Sequence, residues 1–332
     1  MGDASEKTFG VFRFIDPDLS IPAHERSIYA GPAPKAVKEE TIELHDLRTS
    51  KDVAQGREGL DTQAFTWVKN AFSLSAEEML EGENVENIYI PEVKDLILRL
   101  TGASRVVAHQ AAFRRTLATK QEDLYVVHRA GSEFDEATLK LPRDRFSVGG
   151  RDEGTGSEPA RHAHCDMIVD SLYDTLAECR QDISEAGEAT LKAHGARQNG
   201  AVVKIPRACA FSVWRPIKPV KRDPLAVLDY RSIDKSELEI TDFRVPGQFS
   251  KEGTYVARAW IHMPPKNPEK MRWYWLPEQK PDEVLIVKFC DTASPDDPNI
   301  AAGCIHCSPI IPGTENEEER ESIETRVYAF WD

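Results

Sequence analysis

The chain has 332 residues, 40% hydrophobic and 30% charged, the balance of a folded globular protein rather than a disordered or membrane-embedded one. Its formal net charge of -14 would repel a nucleic-acid backbone or an anionic membrane, so a small-molecule partner is expected, with no nucleic acid and no membrane. No apolar run reaches the roughly eighteen residues of a membrane span, and Met1-Gly2-Asp3-Ala4-Ser5 lacks the basic-then-apolar order of a secretory leader.

A cytoplasmic protein is therefore expected; nothing in the sequence reports on oligomeric state. Six cysteines, at positions 165, 179, 209, 290, 304 and 307, are scattered through a long chain and read as free thiols rather than a disulfide framework. Cys165, Cys304 and Cys307 stand out because each lies within two residues of a histidine.

The first sixty residues are rich in Pro, Lys and Glu and suggest an arm lying on the main body. Ser75 and Glu78 have the spacing of a capping box. Pro91 opens a helix in which Val93, Leu96, Ile97 and Leu100 share one face, and Gly102 closes it. Residues 1–100 are thus read as an arm and helices packing on a barrel.

Arg105-Val106-Val107-Ala108 starts a strand. Gly149, Gly150, Gly154 and Gly156 then crowd a polar stretch that misses the G-x-G-x-x-G spacing and joins no strand directly to a helix, which excludes a dinucleotide cradle. The stretch reads as a loop, either plain surface or a lid over a pocket. Past Asp166, the residues Ile168, Leu172, Leu176 and Cys179 recur at helical spacing, so a helical insertion is expected around 167–195.

Short β-rich runs follow: Cys209 to Trp214, Leu225 to Tyr230, Tyr255 to Ile261, Arg272 to Leu276, Val284 to Cys290, Gly303 to Pro309 and Ile323 to Trp331. Strands of this length at near-regular spacing mark a sandwich or barrel. The expected fold is mainly β with helical additions, a double-stranded β-helix or cupin-like jelly roll, with its core at 101–332.

His162-Ala163-His164-Cys165-Asp166 is the densest cluster of ligand-type side chains. In extended backbone, residues i and i+2 point the same way, so His164 and Asp166 can address one ion. His306, on a late strand, would complete a two-histidine, one-carboxylate triad that leaves part of an octahedral iron(II) sphere open. Arg326, on the last strand with Tyr328 and Phe330 on its face, offers a planar fork for the distal carboxylate of 2-oxoglutarate. Its rival reading is an ion pair with Glu324.

Arg320, flanked by Glu318, Glu319 and Glu321, is the second anchor and otherwise a surface ion pair. Tyr274 is a further cosubstrate contact. Trp214, Arg215 and Trp273 are candidate substrate contacts, with core packing as the plain reading of the aromatics and Asp223 or Asp229 as alternative partners for Arg215. A zinc site from His162, Cys165, Cys304, His306 and Cys307 also remains open, and with it a hydrolase, an isomerase or a non-catalytic binding barrel. His24, His45, His109, His128, His194 and His262 lack ligand spacing and read as structural or surface residues.

From Phe211-Ser-Val-Trp214-Arg215-Pro216-Ile217, through Asp223-Pro224-Leu225-Ala226, to Arg272-Trp273-Tyr274-Trp275 and Pro281-Asp282-Glu283-Val284-Leu285, the chain resembles the fungal gibberellin-desaturase and AsaB-like hydroxylase/desaturase family. That family includes relatives of the P8 protein of cephamycin biosynthesis. The resemblance runs from about Thr101 to Arg326 and implies iron(II), 2-oxoglutarate and dioxygen acting on a C–H bond of a specialised metabolite. It implies His164, Asp166 and His306 as ligands and Arg326 as the strand arginine. The chain departs from the family where Cys304-Ile305-His306 replaces Thr-Pro-His and where cysteine fills the middle of H-x-D.

Overall fold

The computed structural model describes residues 7–20, 36–115, 142–152, 158–251 and 253–331. In chain order its strands are β1 (Thr8–Asp16), β2 (Ala36–Asp46), β3 (Phe65–Lys69), β4 (Arg105–Arg114), β5 (Ser147–Gly149), β6 (His164–Cys165), β7 (Ala208–Pro216), β8 (Ala226–Leu228), β9 (Leu238–Pro246), β10 (Thr254–His262), β11 (Trp273–Trp275), β12 (Glu283–Asp291), β13 (His306–Cys307) and β14 (Ser322–Phe330). The α-helices are α1 (Gly56–Thr62), α2 (Ile90–Thr101), α3 (Val169–Glu178), α4 (Gln181–Ala186) and α5 (Glu188–Gln198).

The strands form an eight-stranded sheet in the order β1-β2-β11-β8-β13-β6-β10-β9 and a six-stranded sheet in the order β3-β12-β7-β14-β4-β5. One core cluster draws from both sheets, with Val227, Leu228 and Trp273 on one side and Trp214, Leu285 and Tyr328 on the other. The result is the jelly roll expected from the spacing of the β-rich runs. β1 and β2 pair along their whole length at one edge, and β1 reaches back to bridge Ile310 and His162.

β7 and β12 are buried along their whole length, and β14 everywhere but at the half-buried Arg326, because a second core covers the outer face of the six-stranded sheet. Alternation decides which core each residue serves. On β14, Tyr328 and Phe330 enter the core between the sheets, while Ile323, Val327 and Ala329 meet the second core. There Val93, Leu96 and Ile97 of α2 complete the packing, each contributing about 1.5–3 kcal/mol of apolar burial. Pro91 sits in the first turn of α2, and Gly102 ends it at φ 70°, a left-handed conformation that costs a residue with Cβ free energy.

Ser75 and Glu78 do cap each other, Glu78 accepting from the Ser75 amide at 2.8 Å and Ser75 Oγ from the Glu78 amide at 3.2 Å, although the turn they start is only Glu78–Leu80. The insertion after Asp166 is three helices, α3 to α5. Part of the glycine-rich stretch is strand β5, parallel to β4; Gly154 and Gly156, with His24 and His128, lie outside the described residues.

Candidate metal centre

β6 and β13 are two residues long, and they pair so that His164 lies directly opposite His306. Paired residues on neighbouring strands project to the same face, and the two imidazole centroids are 4.6 Å apart. Asp166 follows on the same side of the chain as His164. One ligand atom from each of His164, Asp166 and His306 falls within 4.8 Å of the others, the one such group of His, Cys, Asp or Glu among the described residues.

Each imidazole is held by the main chain. His164 Nδ1 meets the carbonyl of His162 at 2.7 Å, and His306 Nδ1 meets that of Cys304 at 3.1 Å. A carbonyl only accepts, so both Nδ1 atoms carry a proton and both Nε2 atoms face the cluster; burial works against a charge on His164, but the Asp166 carboxylate 3.0 Å from its Nε2 raises its pKa overall. Burial, reinforced by the nearby His164, lowers His306 to about 4, so it stays neutral, as a ligand must. Burial opposes ionisation of Asp166, yet the Arg326 charge and the bond to His164 hold it well below the usual carboxylate range.

The loop before β13 is placed by close packing. Gly303 crosses β12 so tightly that a Cβ there would sit 2.4 Å from the Phe289 carbonyl oxygen and 3.0 Å from Cys165 Sγ. Backbone bonds from Cys304 to Lys288 and from Leu228 to Ile305, both 2.8 Å, then deliver His306 to β8. The buried Lys288 adds a bond of 3.2 Å to the Ala301 carbonyl while pairing with Asp291 at 2.7 Å.

The thiol alternatives fall away. Cys165 points out of the cluster and donates to the Phe289 carbonyl at 3.1 Å; burial pushes it up to about 12. Burial raises Cys304 and Cys307 as well. No cysteine joins the three-residue group, so a thiolate zinc site is replaced by an imidazole–carboxylate one.

Arg326 enters the space between the sheets as its strand parity requires. Its Nη2 donates to Asp166 Oδ2 at 2.6 Å and its Nε lies 3.5 Å from Glu324, so it is both beside the cluster and paired on its own strand. Arg320 is not a surface ion pair: it is 4% exposed, donates to the Asp223 carbonyl at 2.6 Å and lies over the Trp214 ring at 5.4 Å. Burial and the neighbouring Arg114 lower it to about 9.

Arg215 turns to the opposite face of β7, donating to the Pro281 carbonyl at 2.9 Å and stacking on Phe72 at 4.2 Å. The expected substrate contact is thus a strut of the second core, and neither Asp223 nor Asp229 is its partner. Trp273 packs on Phe12 at 4.5 Å and is fully buried. The Tyr274 hydroxyl is committed to Asp52 at 2.6 Å rather than to the cluster.

A cavity of about 30 Å³ adjoins Asp166 and Arg326 and is walled by His109, Tyr255, Phe289 and Tyr328. His109, read from sequence as structural or surface, shares the inward face of Val107 and lies at a β-bulge. β14 pairs Arg326 with Gln110 and then Val327 with Ala108, so His109 is the extra residue without a strand partner and the alternation shifts after it. Its ring bridges the Tyr328 hydroxyl at 3.2 Å and Cys179 Sγ at 3.3 Å. Burial and the charges of Arg180 and Arg326 drop it to about 3, keeping it neutral. The signal in the sequence is a break of parity: Val106 and Ala108 face the second core, and after the bulge Ala111 and Phe113 do.

Residues 24–330 match the sequence pattern of a family described as oxidoreductase/YMDC permease-like domain. Among the described residues no helix is long and apolar enough to cross a membrane. The chain is 35% identical over 262 residues to the gibberellin cluster GA4 desaturase of Gibberella fujikuroi, covering 74% of this chain and 73% of that protein. It is 26% identical over 302 residues to the Fe(II)/2-oxoglutarate-dependent dioxygenase nvfI of Aspergillus novofumigatus, covering 87% and 82%. A solved structure of the iron and alpha-ketoglutarate-dependent endoperoxidase NvfI matches with a TM-score of 0.66 at 22% identity, over 98% of this chain and 99% of that one, and so shares the fold. The chain therefore belongs to this oxidoreductase family, as an iron(II)- and 2-oxoglutarate-dependent oxygenase acting with dioxygen on a small specialised metabolite.

Proposed function

We propose that His164, Asp166 and His306 hold the iron(II) of this oxygenase. The observation that carries the reading is the convergence of two imidazoles, each with its Nδ1 taken by a carbonyl, on one carboxylate within 4.8 Å. Two neutral nitrogens and one carboxylate oxygen suit a ferrous ion and leave coordination places for a keto acid and dioxygen. Bound iron with its cosubstrates supplies the oxidising power to remove hydrogen from a substrate C–H bond.

The protein's part is to bind, orient and exclude water. Arg320 is the better receiver of the distal carboxylate of 2-oxoglutarate than Arg326, whose guanidinium already serves two carboxylates. Arg320 Nε, Trp214 Nε1 and Ser322 Oγ are buried without a hydrogen-bond partner, and Ser322 lies two residues beyond Arg320. A buried donor left unpaired costs about 1–3 kcal/mol, which an incoming carboxylate would recover. The distance also suits: Arg320 Nη1 lies 3.4 Å from Ser308 Oγ, and Ser308 follows His306 by two residues, about 6.4–6.8 Å of extended chain, comparable with a five-carbon diacid. The cavity on the other side of Asp166, towards His109 and Tyr328, is about the size of one water, so a substrate approaching from that side has to widen it. The charge of -14 fits a cytosolic protein whose partner is this small molecule rather than nucleic acid or membrane.

The test is spectroscopic. Iron(II) and 2-oxoglutarate added without oxygen are expected to give a weak visible charge-transfer band. Asp166→Ala should lose both the band and succinate formation on exposure to air. Unchanged succinate formation in the variant would show that the carboxylate is misassigned.

A further inference from the structure

Four charged side chains run in a line from the six-stranded sheet to the cluster. Arg114 Nη2 lies 3.2 Å from Glu324 Oε2, Glu324 Oε1 lies 3.5 Å from Arg326 Nε, Arg326 Nη2 lies 2.6 Å from Asp166 Oδ2, and Asp166 Oδ1 lies 3.0 Å from His164 Nε2. Ser212 Oγ donates to Glu324 Oε1 at 3.3 Å and steadies the middle of the line. The charges alternate, so the array is neutral as a unit and needs no anion from outside. Arg326 also lies 5.7 Å from the Phe289 ring, which limits where its fork can swing.

The two oxygens of Asp166 are therefore unequal. Oδ2 is capped by a guanidinium, while Oδ1 faces the imidazole nitrogens. The geometry points to Arg326 as a positioning residue that keeps Asp166 a one-oxygen ligand, an inference that rests on the metal-site reading above. A carboxylate free of that cap can close on the ion with both oxygens and fill a place that the keto acid or dioxygen needs. Groups that aim a ligand in this way typically control metal affinity by about 10- to 100-fold. The role differs from holding the distal carboxylate of 2-oxoglutarate, and the two make different demands on the cosubstrate.

Pyruvate separates them, because it carries the same chelating keto acid and no distal carboxylate. Wild type, Arg326→Gln and Arg326→Lys would be titrated with cobalt(II), followed by its visible absorption, and then with iron(II) plus 2-oxoglutarate or pyruvate without oxygen. In Arg326→Gln the cobalt(II) dissociation constant should rise about 10- to 100-fold. The charge-transfer bands of both keto acids should weaken by the same factor, and Arg326→Lys should recover part of each loss. Unchanged cobalt(II) affinity with 2-oxoglutarate weakened and pyruvate untouched would make Arg326 the distal anchor and overturn the proposal. No change in any titration would overturn it too. Glu324→Gln, which leaves Arg326 in place but loosens its aim, should give the same pattern at smaller size and serves if Arg326→Gln does not fold. A wild-type protein without any band would instead count against the metal site itself.

Discussion

Two arginines on or beside one strand divide their work by what already surrounds them. Arg326 is directly paired with two carboxylates, whereas Arg320 bonds a carbonyl and lies over an indole, with Arg114, Asp223, Arg161 and Glu324 acting on its charge only from around it. A guanidinium in the second setting has a place for an anion, and one in the first has little. Arg320→Gln should therefore raise the 2-oxoglutarate concentration for half-maximal charge-transfer absorbance by roughly 10- to 100-fold, the size of a lost charged hydrogen bond. Pyruvate binding should be untouched; an equal loss with pyruvate would remove Arg320 from that role. The triad was readable in sequence because extended backbone gives H-x-D a common face whatever lies around it. The duties of the arginines were not, since Arg320 sits among glutamates in the sequence yet makes its contacts with Asp223 and Trp214, far away along the chain.

Among the elements, the long buried strands announced themselves and the short ones did not. β7 and β12 serve two cores and so read as nearly continuous apolar runs, while β14 shows its apolar run only from Val327 onward. β9 was missed because it is an edge strand whose Glu239, Thr241 and Asp242 hide its alternation, a usual defence of exposed edges. β6 and β13, which carry both imidazoles, are too short to show any period and are held by their neighbours instead. Gly303 makes that dependence testable. A methyl group there meets the Phe289 carbonyl, so Gly303→Ala must push the loop off β12 and move His306 with it. The expected cost is about 1–3 kcal/mol of stability in a urea titration, with a weaker cobalt(II) affinity. Wild-type values for both would mean that the loop yields without disturbing the ligand. The bulge at His109 was equally hidden, because an inserted residue declares itself only through the parity of residues on either side.

At the scale of the molecule, a buried ionic knot ties α1 and the strand β12 to the loop that precedes β13. Lys288 and Asp291 are fully buried, Arg207 lies 2.5 Å from Asp291, and it also bonds Asp61. Burial would raise the Asp291 carboxyl, but the charges of Lys288 and Arg207 pull it down to about 2 from the ordinary 3.8. With the folded value below the unfolded one, the native state binds fewer protons in that interval. The contribution, about 2 kcal/mol, is complete above the unfolded value and is lost as pH falls through 3.8 towards 2. Urea midpoints measured from pH 5 downward should show this fall in the wild type and a shallower one in an Asp291→Asn, Lys288→Met pair, which removes both charges together. Parallel curves would show that the knot does not govern acid stability. The pairing of His164 with His306 on one sheet has a wider consequence. Their separation is set by the ladder between two adjacent strands and not by how the sandwich closes. Side chains on the far wall can be exchanged to admit a differently shaped guest while the spacing of the two imidazoles is kept, so that guest choice and the proposed iron site can change independently.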